Sequence, residues 1–177
     1  ELSLPAELLG AAKATGQLGS FRYGVLTAFE DEVSFNATAN GQRVRVAQDG
    51  SDYGIARLLY ENNDSGYRAI GLLNTAVQHY DRDAYVTGLD WHLLTKSGKL
   101  KMDGQVFRSD LDGIDAGYGG FVDFEYAFRQ GVRQRLGIEY FDDDVNINDL
   151  GFQSRNHYRQ IRTAHTRTTS GLSWARD

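Results

Sequence analysis

Two carboxylates at Asp123 and Glu125 have the spacing of a glycosidase acid and base. On an extended strand, residues i and i+2 lie on one face about 6.5–7 Å apart, within reach of opposite sides of a glycosidic bond. The same spacing occurs in countless strands, and the nearby arginines Arg133 and Arg135 favour a salt-bridge network instead. A glycoside hydrolase is therefore an alternative only, and no residue is predicted to be catalytic.

The densest acidic cluster is FDDDVNINDLG, at residues 141–151. Its alternating Asp and Asn oxygens are the ligands that calcium prefers. The cluster departs from an EF-hand loop, because the sixth residue from Asp144 is Asp149 instead of glycine and the twelfth is Arg155 instead of glutamate. We predict a solvated loop and no metal, with a weak calcium alternative whose ligands would be Asp142, Asp144, Asn146 and Asn148.

Other catalytic chemistry has little support in the sequence. The four histidines are scattered without the spacing of a zinc site. The chain has no cysteine, which excludes disulfides, thiolate metal sites and a cysteine nucleophile. No GxSxG segment surrounds a serine, so a hydrolytic triad is not expected. We predict a protein without a cofactor.

Charge and hydropathy limit the classes of partner and the kinds of membrane segment that this chain can have. The formal charge of −5 and the pI near 5.3 argue against a nucleic-acid partner, which normally requires a basic stripe. No apolar run approaches the roughly 18 residues of a membrane-spanning helix. The first residues, ELSLPAELLG, lack the basic start and apolar stretch of a secretory signal. If the protein is exported, we expect its signal to lie outside these residues.

The elements that position these side chains are β-strands, because large apolar residues alternate with glycines and charges. In residues 118–128, Tyr118, Val122 and Phe124 fall on one face while Asp123 and Glu125 fall on the other. The alternation recurs in residues 21–29, 85–93 and 132–140. With 20 glycines, one proline and 12% aromatic residues, the chain is predicted to be all-β. We expect a single domain over residues 1–177 with about nine or ten strands in an antiparallel meander.

Turn-forming residues divide the chain into these strands. The segment 30–39 is predicted to be a polar connection, Lys96–Lys99 and Gln130–Gly131 hairpin turns, and 5–9 at most a helical turn. Strands are expected at about residues 9–15, 21–29, 43–48, 53–60, 67–77, 84–95, 100–109, 117–130 and 132–141, with extended segments in 159–170.

The alternation favours an outer-membrane β-barrel or an arc of a larger barrel, apolar outside and polar inside. Tyr118 and Phe128 are ten residues apart, which covers about 23 Å of bilayer for a strand tilted by about 45°. A soluble β-sandwich or β-barrel that binds carbohydrate, with its aromatic side chains inside, has the same periodicity. The lipid-facing candidates are Phe21, Tyr23, Phe29, Tyr85, Leu89, Trp91, Val122, Phe124, Tyr126 and Phe128. The lumen-facing candidates are Arg22, Asp90, His92, Lys101, Asp103, Asp123, Glu125, Arg133, Arg135 and Glu139.

Five short segments spread over the chain carry a resemblance to a known family. They are GAAKATG at 10–16, GVLTA at 24–28, RVRV at 43–46, YVTGLDWHL at 85–93 and NDLGFQSRN at 148–156. Together they resemble a family of bacterial outer-membrane proteins of uncharacterised function, whose members carry an N-terminal module similar to family 9 carbohydrate-binding modules, followed by a large C-terminal β-barrel. The resemblance implies that this chain belongs to the barrel. The end of the chain, Trp174 to Asp177, lacks the terminal aromatic residue usual in such barrels, so more strands are expected to follow.

The expected function is non-enzymatic passage, anchoring or assembly in the outer membrane of a Gram-negative bacterium. Expected partners are outer-membrane lipid and the barrel assembly machinery, together with a glycan suggested by the family's sugar-binding module. The mixed charges of the polar face can line a water-filled passage or pair across strands and plug it. The sequence leaves both open.

Overall fold

The computed structural model describes residues 7–39, 41–151 and 153–170, and in those residues it contains β-strands and no helix. It accordingly has no helix, within that part of the chain, that is long and apolar enough to cross a membrane. The strands are β1 (Leu8–Leu18), β2 (Phe21–Glu30), β3 (Val33–Ala39), β4 (Gln42–Gln48), β5 (Asp52–Asn62), β6 (Gly66–Gln78), β7 (Asp83–Thr95), β8 (Leu100–Leu111), β9 (Gly117–Arg129), β10 (Val132–Phe141) and β11 (Tyr158–Arg167).

Nine strands form one antiparallel sheet in the order β1-β2-β5-β6-β7-β8-β9-β10-β11, and β3 and β4 form a separate two-stranded sheet. Every neighbour in the large sheet is also the next strand along the chain, except where the β3–β4 pair is inserted between β2 and β5. The all-β antiparallel meander predicted from the alternation is confirmed. Short connections favour this meander, because a strand that follows a short turn lies beside the strand before it and pairs with that strand.

Two local predictions were wrong. Residues 33–39 form β3, although the polar residues around them had suggested a connection, so the described residues hold eleven strands instead of nine or ten. Val33, Phe35 and Ala37 do alternate with polar residues there, but only over a short run. Leu8 and Leu9 belong to β1 and not to a helical turn. The rest of that predicted turn, Pro5 and Ala6, lies outside the described residues.

The large sheet is open. Its edge strands β1 and β11 each pair with a single neighbour, and they do not pair with each other in the part of the chain that the structure describes. A small barrel closed by these strands alone is therefore not formed. The open sheet is compatible with the second predicted form, an arc of a larger barrel.

The two ends of the sheet differ in the length of their connections. At the first end, the turns at 19–20, 63–65, 96–99 and 130–131 have two to four residues. One of the two turns with two residues places Gly131 at a φ of +75°, a conformation that glycine adopts without steric penalty. At the second end the connections are 31–51, 79–82, 112–116 and 142–157, and the described residues of the last have no regular structure. We call these the short-turn end and the long-loop end.

Apolar burial is sparse and, apart from Ala69, lies near the long-loop end. Val77, Ala84 and Leu111 form one buried cluster, against which Tyr53 packs. Val145, from the loop between β10 and β11, is fully buried as well. Most other large apolar side chains of the sheet are exposed, so this single layer lacks the two-sided core of a soluble sandwich.

Candidate functional site

The strand pairing assigns each side chain to one of two faces of the large sheet. Directly opposed residues of an antiparallel pair project from the same face, and neighbours along a strand from opposite faces. All the predicted lumen-facing residues share what we call the charged face: Arg22, Asp90, His92, Lys101, Asp103, Asp123, Glu125, Arg133, Arg135 and Glu139. All the predicted lipid-facing residues share the opposite, apolar face: Phe21, Tyr23, Phe29, Tyr85, Leu89, Trp91, Val122, Phe124, Tyr126 and Phe128. Which face meets lipid stays a prediction.

A chain of charged groups crosses β5, β7 and β8 on the charged face. The Arg57 guanidinium donates to Asp90 Oδ2 at 2.9 Å. His92 lies between two carboxylates, with Nε2 3.2 Å from Asp90 Oδ2 and Nδ1 2.9 Å from Asp103 Oδ1. Lys101 Nζ lies 2.7 Å from the other oxygen of Asp103. The two ring nitrogens of His92 thus bridge the carboxylates of neighbouring strands β7 and β8.

A second group of ion pairs lies on β9, β10 and β11. Glu125 accepts hydrogen bonds from both Arg133, at 3.3 Å, and Arg135. Glu139 accepts one from Arg162. The arginine pairing that the sequence suggested for Glu125 is thus present, with one arginine on each carboxylate oxygen.

Glycines make room for the acids of this face. A Cβ atom at Gly71 would lie 2.6 Å from Asp90 Oδ1, and one at Gly137 would lie 2.6 Å from Asp123 Oδ1. Asp90 is only 6% exposed, and its Oδ1 is buried without a hydrogen-bond partner among the described residues. A buried carboxylate oxygen of this kind is expensive to leave unpaired. The contacts of the Asp90 carboxylate with Arg57 and His92 are all made by its other oxygen, Oδ2.

Sequence reasoning missed several members of these networks. Arg57 pairs with Asp90, Arg22 lies 2.7 Å from Glu61, and Arg162 pairs with Glu139. Arg57 and Glu61 sit two residues on either side of Leu59 in β5, so the period-2 pattern places them together on one face. That pattern was the available signal. Their cross-strand partners were hidden because register is not visible in one strand alone.

The apolar face is exposed over its whole width. Exposed fractions there are 74% for Ile161, 51% for Val106 and 49% for Ile70. On the charged face the acids Glu125 and Glu139 are largely covered, whereas the side chains of their arginine partners are more than half exposed. Charged residues on the apolar face lie at or beyond its ends, and its centre has none in the described strands. The apolar face therefore exposes large apolar side chains on each strand from β2 to β10 of the large sheet.

Aromatic residues form two rows on this face, one at each end of the strands. The row at the short-turn end contains Phe21, Tyr60, Tyr126 and Phe128. The row at the long-loop end contains Phe29, Tyr85, Tyr118 and Tyr140. Phe21 and Tyr60 pack with ring centroids 5.1 Å apart, and Tyr126 and Phe128 with centroids 5.0 Å apart. Apolar side chains of Val, Leu and Ile occupy most of the space between the rows.

The loop 142–157 folds over the charged face at the long-loop end. Val145 is fully buried, and the backbone N–H of Asn146 donates to Ser109 Oγ at 3.1 Å. Gly117 makes this approach possible, because a Cβ atom there would lie 2.3 Å from the backbone nitrogen of Val145. The loop therefore narrows the space over the charged face without crossing the apolar one.

A Ser–His–Asp arrangement fixes this loop to two others. Ser51 Oγ lies 2.6 Å from His79 Nδ1, and His79 Nε2 lies 3.0 Å from Asp149 Oδ1, which also accepts from Arg82 at 2.8 Å. Burial alone would raise the pKa of Asp149, but hydrogen bonds from His79 and Arg82 hold it below the usual value. Ser51 is only 7% exposed. A nucleophile needs an open approach, so we interpret the trio as a contact that holds the loops together.

Three of the four residues predicted as weak calcium ligands make hydrogen bonds that stabilise the same loop. Asp142 accepts hydrogen bonds from the backbone N–H groups of Tyr118 and Val145, at 2.7 and 3.0 Å. Asn146 and Asn148 each accept a backbone N–H within the loop. Burial, and then the neighbouring carboxylates, raise the pKa of Asp144. No group of three or more His, Cys, Asp or Glu residues in the described part of the chain could hold a metal ion.

A family model described as a domain of unknown function (DUF5916) matches residues 4–170. The chain belongs to this family. No curated protein and no solved structure matches it. The match covers every strand of the large sheet and both aromatic rows. Membership in DUF5916 assigns no activity, and the outer-membrane location and the sugar-binding module suggested by the sequence resemblance stay predictions.

Proposed function

We propose that this DUF5916 domain forms part of the wall of an outer-membrane β-barrel, with its apolar face in lipid and its charged face towards an aqueous lumen. The observation that carries the proposal is the absence of charged residues from the centre of the apolar face in the described strands, while the ion pairs lie on the opposite face. Soluble monomers rarely expose apolar patches above about 300–600 Å². An aromatic side chain presents roughly 150–250 Å², so a few half-exposed ones on this face already exceed that range.

Strand length and the aromatic rows support this orientation. β6, β7 and β9 have 13 residues each, and a tilted strand needs about 9–11 to cross a bilayer. Outer-membrane barrels have an apolar band about 25 Å tall between two aromatic girdles, short periplasmic turns and longer extracellular loops. By that comparison the short-turn end lies in the periplasm and the long-loop end faces the outside.

Closure of the wall requires more strands than this sheet has. The outer edges of β1 and β11 would be unpaired in lipid, where each unsatisfied backbone group costs several kcal/mol. We infer that the domain is an arc whose edges pair with further strands of the complete barrel. Insertion of such a barrel implicates lipid and the barrel assembly machinery as partners.

The proposed role is non-enzymatic passage, anchoring or assembly. Pairing of acids with bases on the charged face gives a lumen wall with little net charge, and the loop 142–157 narrows it at the outer end. Such a wall favours polar, uncharged cargo over ions of either sign. A glycan is the class of cargo or ligand that fits this chemistry. It also fits the sugar-binding module that members of the resembled family carry before their barrel.

The test is membrane fractionation of the protein in its natural sequence context, exported from a Gram-negative host. We expect it in the outer-membrane fraction, with mobility in detergent gels that changes on heating because a folded barrel resists detergent. Recovery as a soluble periplasmic protein would contradict the proposal. The apolar face would then have to be covered by protein, and a sugar-binding screen would be the next experiment.

A further inference from the structure

The β3–β4 hairpin is a two-sided ribbon at the long-loop end. Cross-strand pairing places Val33, Phe35, Ala37, Val44 and Val46 on one side, which we call the hairpin's apolar side. Phe35, Val44 and Val46 are 36–40% exposed. In the described residues β3 and β4 contact each other and no other strand. An isolated two-stranded hairpin is at best marginally stable in water, so this ribbon needs a surface to bind.

The hairpin continues the wall in unchanged register. Four residues forward from Phe29 and four back from Asp52, the paired residues of β2 and β5, lie Val33 and Gln48, which are paired in β3 and β4. A backbone hydrogen bond from Glu30 N to Ser51 O keeps the strands together across the interruption. The apolar side of the hairpin is therefore in phase with the apolar face of the sheet.

The charges of the hairpin differ in sign from those of the chain. Residues 33–48 contain Arg43 and Arg45 and no Asp or Glu, while the whole chain has a formal charge of −5. Both arginines lie on the side opposite Phe35, and Arg45 Nη2 donates to Ser34 Oγ at 2.7 Å. An apolar side backed by arginines is the arrangement of elements that lie in a membrane interface, where long cationic side chains reach the phosphates.

We propose that the β3–β4 hairpin bends over at residues 31–32 and 49–51 and lies on the anionic headgroup layer of the membrane that the sheet spans. Its apolar side inserts at the boundary with the acyl chains, and Arg43 and Arg45 bind lipid phosphate groups. This inference rests on the proposed function, because it needs the sheet to be in the bilayer. It assigns the hairpin a membrane-anchoring role separate from the lumen.

The test uses single cysteines, since the chain has none of its own. The protein in its natural sequence context is labelled with an environment-sensitive dye at Phe35→Cys, at Asn36→Cys on the opposite side of β3, or at Leu72→Cys on the apolar face. It is reconstituted in phosphatidylcholine vesicles with or without phosphatidylglycerol. Quenching by a nitroxide on the lipid acyl chain reports insertion, with the nitroxide near the headgroup for the two hairpin positions and near the end of the acyl chain for Leu72→Cys.

With phosphatidylglycerol present, we expect quenching at Phe35→Cys and Leu72→Cys but not at Asn36→Cys. Replacing both Arg43 and Arg45 by Gln should weaken the hairpin's partition by about thirtyfold, from about fivefold for each arginine near an anionic surface. An unquenched Phe35→Cys beside a quenched Leu72→Cys overturns the hairpin proposal alone. An unquenched Leu72→Cys overturns the proposed function instead. If quenching at Phe35→Cys is the same with and without phosphatidylglycerol, and is unchanged when Arg43 and Arg45 are replaced, the proposed binding of lipid phosphates by the arginines is overturned.

Discussion

A single arginine at the centre of the apolar face separates lipid exposure from water exposure. Leu72 is 42% exposed and lies between Leu58 and Leu89 on the neighbouring strands, midway between the aromatic rows. At the bilayer midplane, Leu72→Arg should destabilise the folded barrel by about 2–4 kcal/mol. If the same face met water, the change would fall within about 0.5 kcal/mol, as for ordinary surface substitutions.

The measurement is equilibrium unfolding by guanidinium in lipid vesicles, followed by heat-dependent gel mobility. A loss of about 2–4 kcal/mol lowers the ratio of folded to unfolded protein by about 30- to 900-fold. Leu18→Arg is the matched control, because Leu18 is on the same face but at the end of β1 and is 78% exposed. We expect it to cost about 0–1 kcal/mol, as near an interface. Equal effects at the two positions would refute the reasoning.

Four further predictions concern two glycines beside the charged face and the hydrogen bonds of Asp149 that hold the loop 142–157. Gly71→Ala should destabilise by about 1–3 kcal/mol because its Cβ would lie 2.6 Å from the buried Asp90 carboxylate, whereas Gly54→Ala, whose Cβ meets only another methyl group at 3.9 Å, should be nearly neutral in the same unfolding assay. Asp149→Asn should release the loop 142–157, measured as faster thiol labelling of the fully buried Val145→Cys. Gly117→Ala should accelerate the same labelling by displacing the loop backbone, and unchanged rates would contradict the loop contact. Because the folded-state pKa of Asp149 is lower than its unfolded value of about 3.9, the contact is stabilised above that pH. The labelling rate of Val145→Cys, divided by that of a fully exposed cysteine at the same pH to remove the loss of thiolate, should therefore rise as the pH falls below about 4, and it should not do so with Asp149→Asn.

The meander and its two faces were predictable because each rests on local periodicity. Alternation from Tyr118 to Phe128 or from Val132 to Tyr140 fixes a face without knowledge of the partner strand. The prediction failed at Val33–Ala39, where polar flanking residues hid a short alternating run. It succeeded at Gln130–Gly131, because the turn requires a positive φ that glycine adopts readily, and the glycine is visible in the sequence.

The contacts between strands and loops were not predictable from the pattern. The position of His92 between Asp90 and Asp103 depends on the register of β7 against β8. The Ser51–His79–Asp149 contact joins residues far apart in the chain, one from each of three connections at the long-loop end. No periodic signal marks either one. The acidic run at 142–149 was recognised as a loop, but its role in covering the charged face depends on the room left at Gly117.

The central claim is that the apolar face meets lipid and the charged face meets water. A nitroxide scan of single cysteines along β9, from Tyr118 to Phe128, tests it most directly by comparing accessibility to oxygen and to a water-soluble nickel chelate. We predict alternation with a period of two, with oxygen access highest at Val122 and Phe124 and nickel access highest at Asp123 and Glu125. Nickel access at every position, or protection of Val122 and Phe124 from both reagents, would contradict the account.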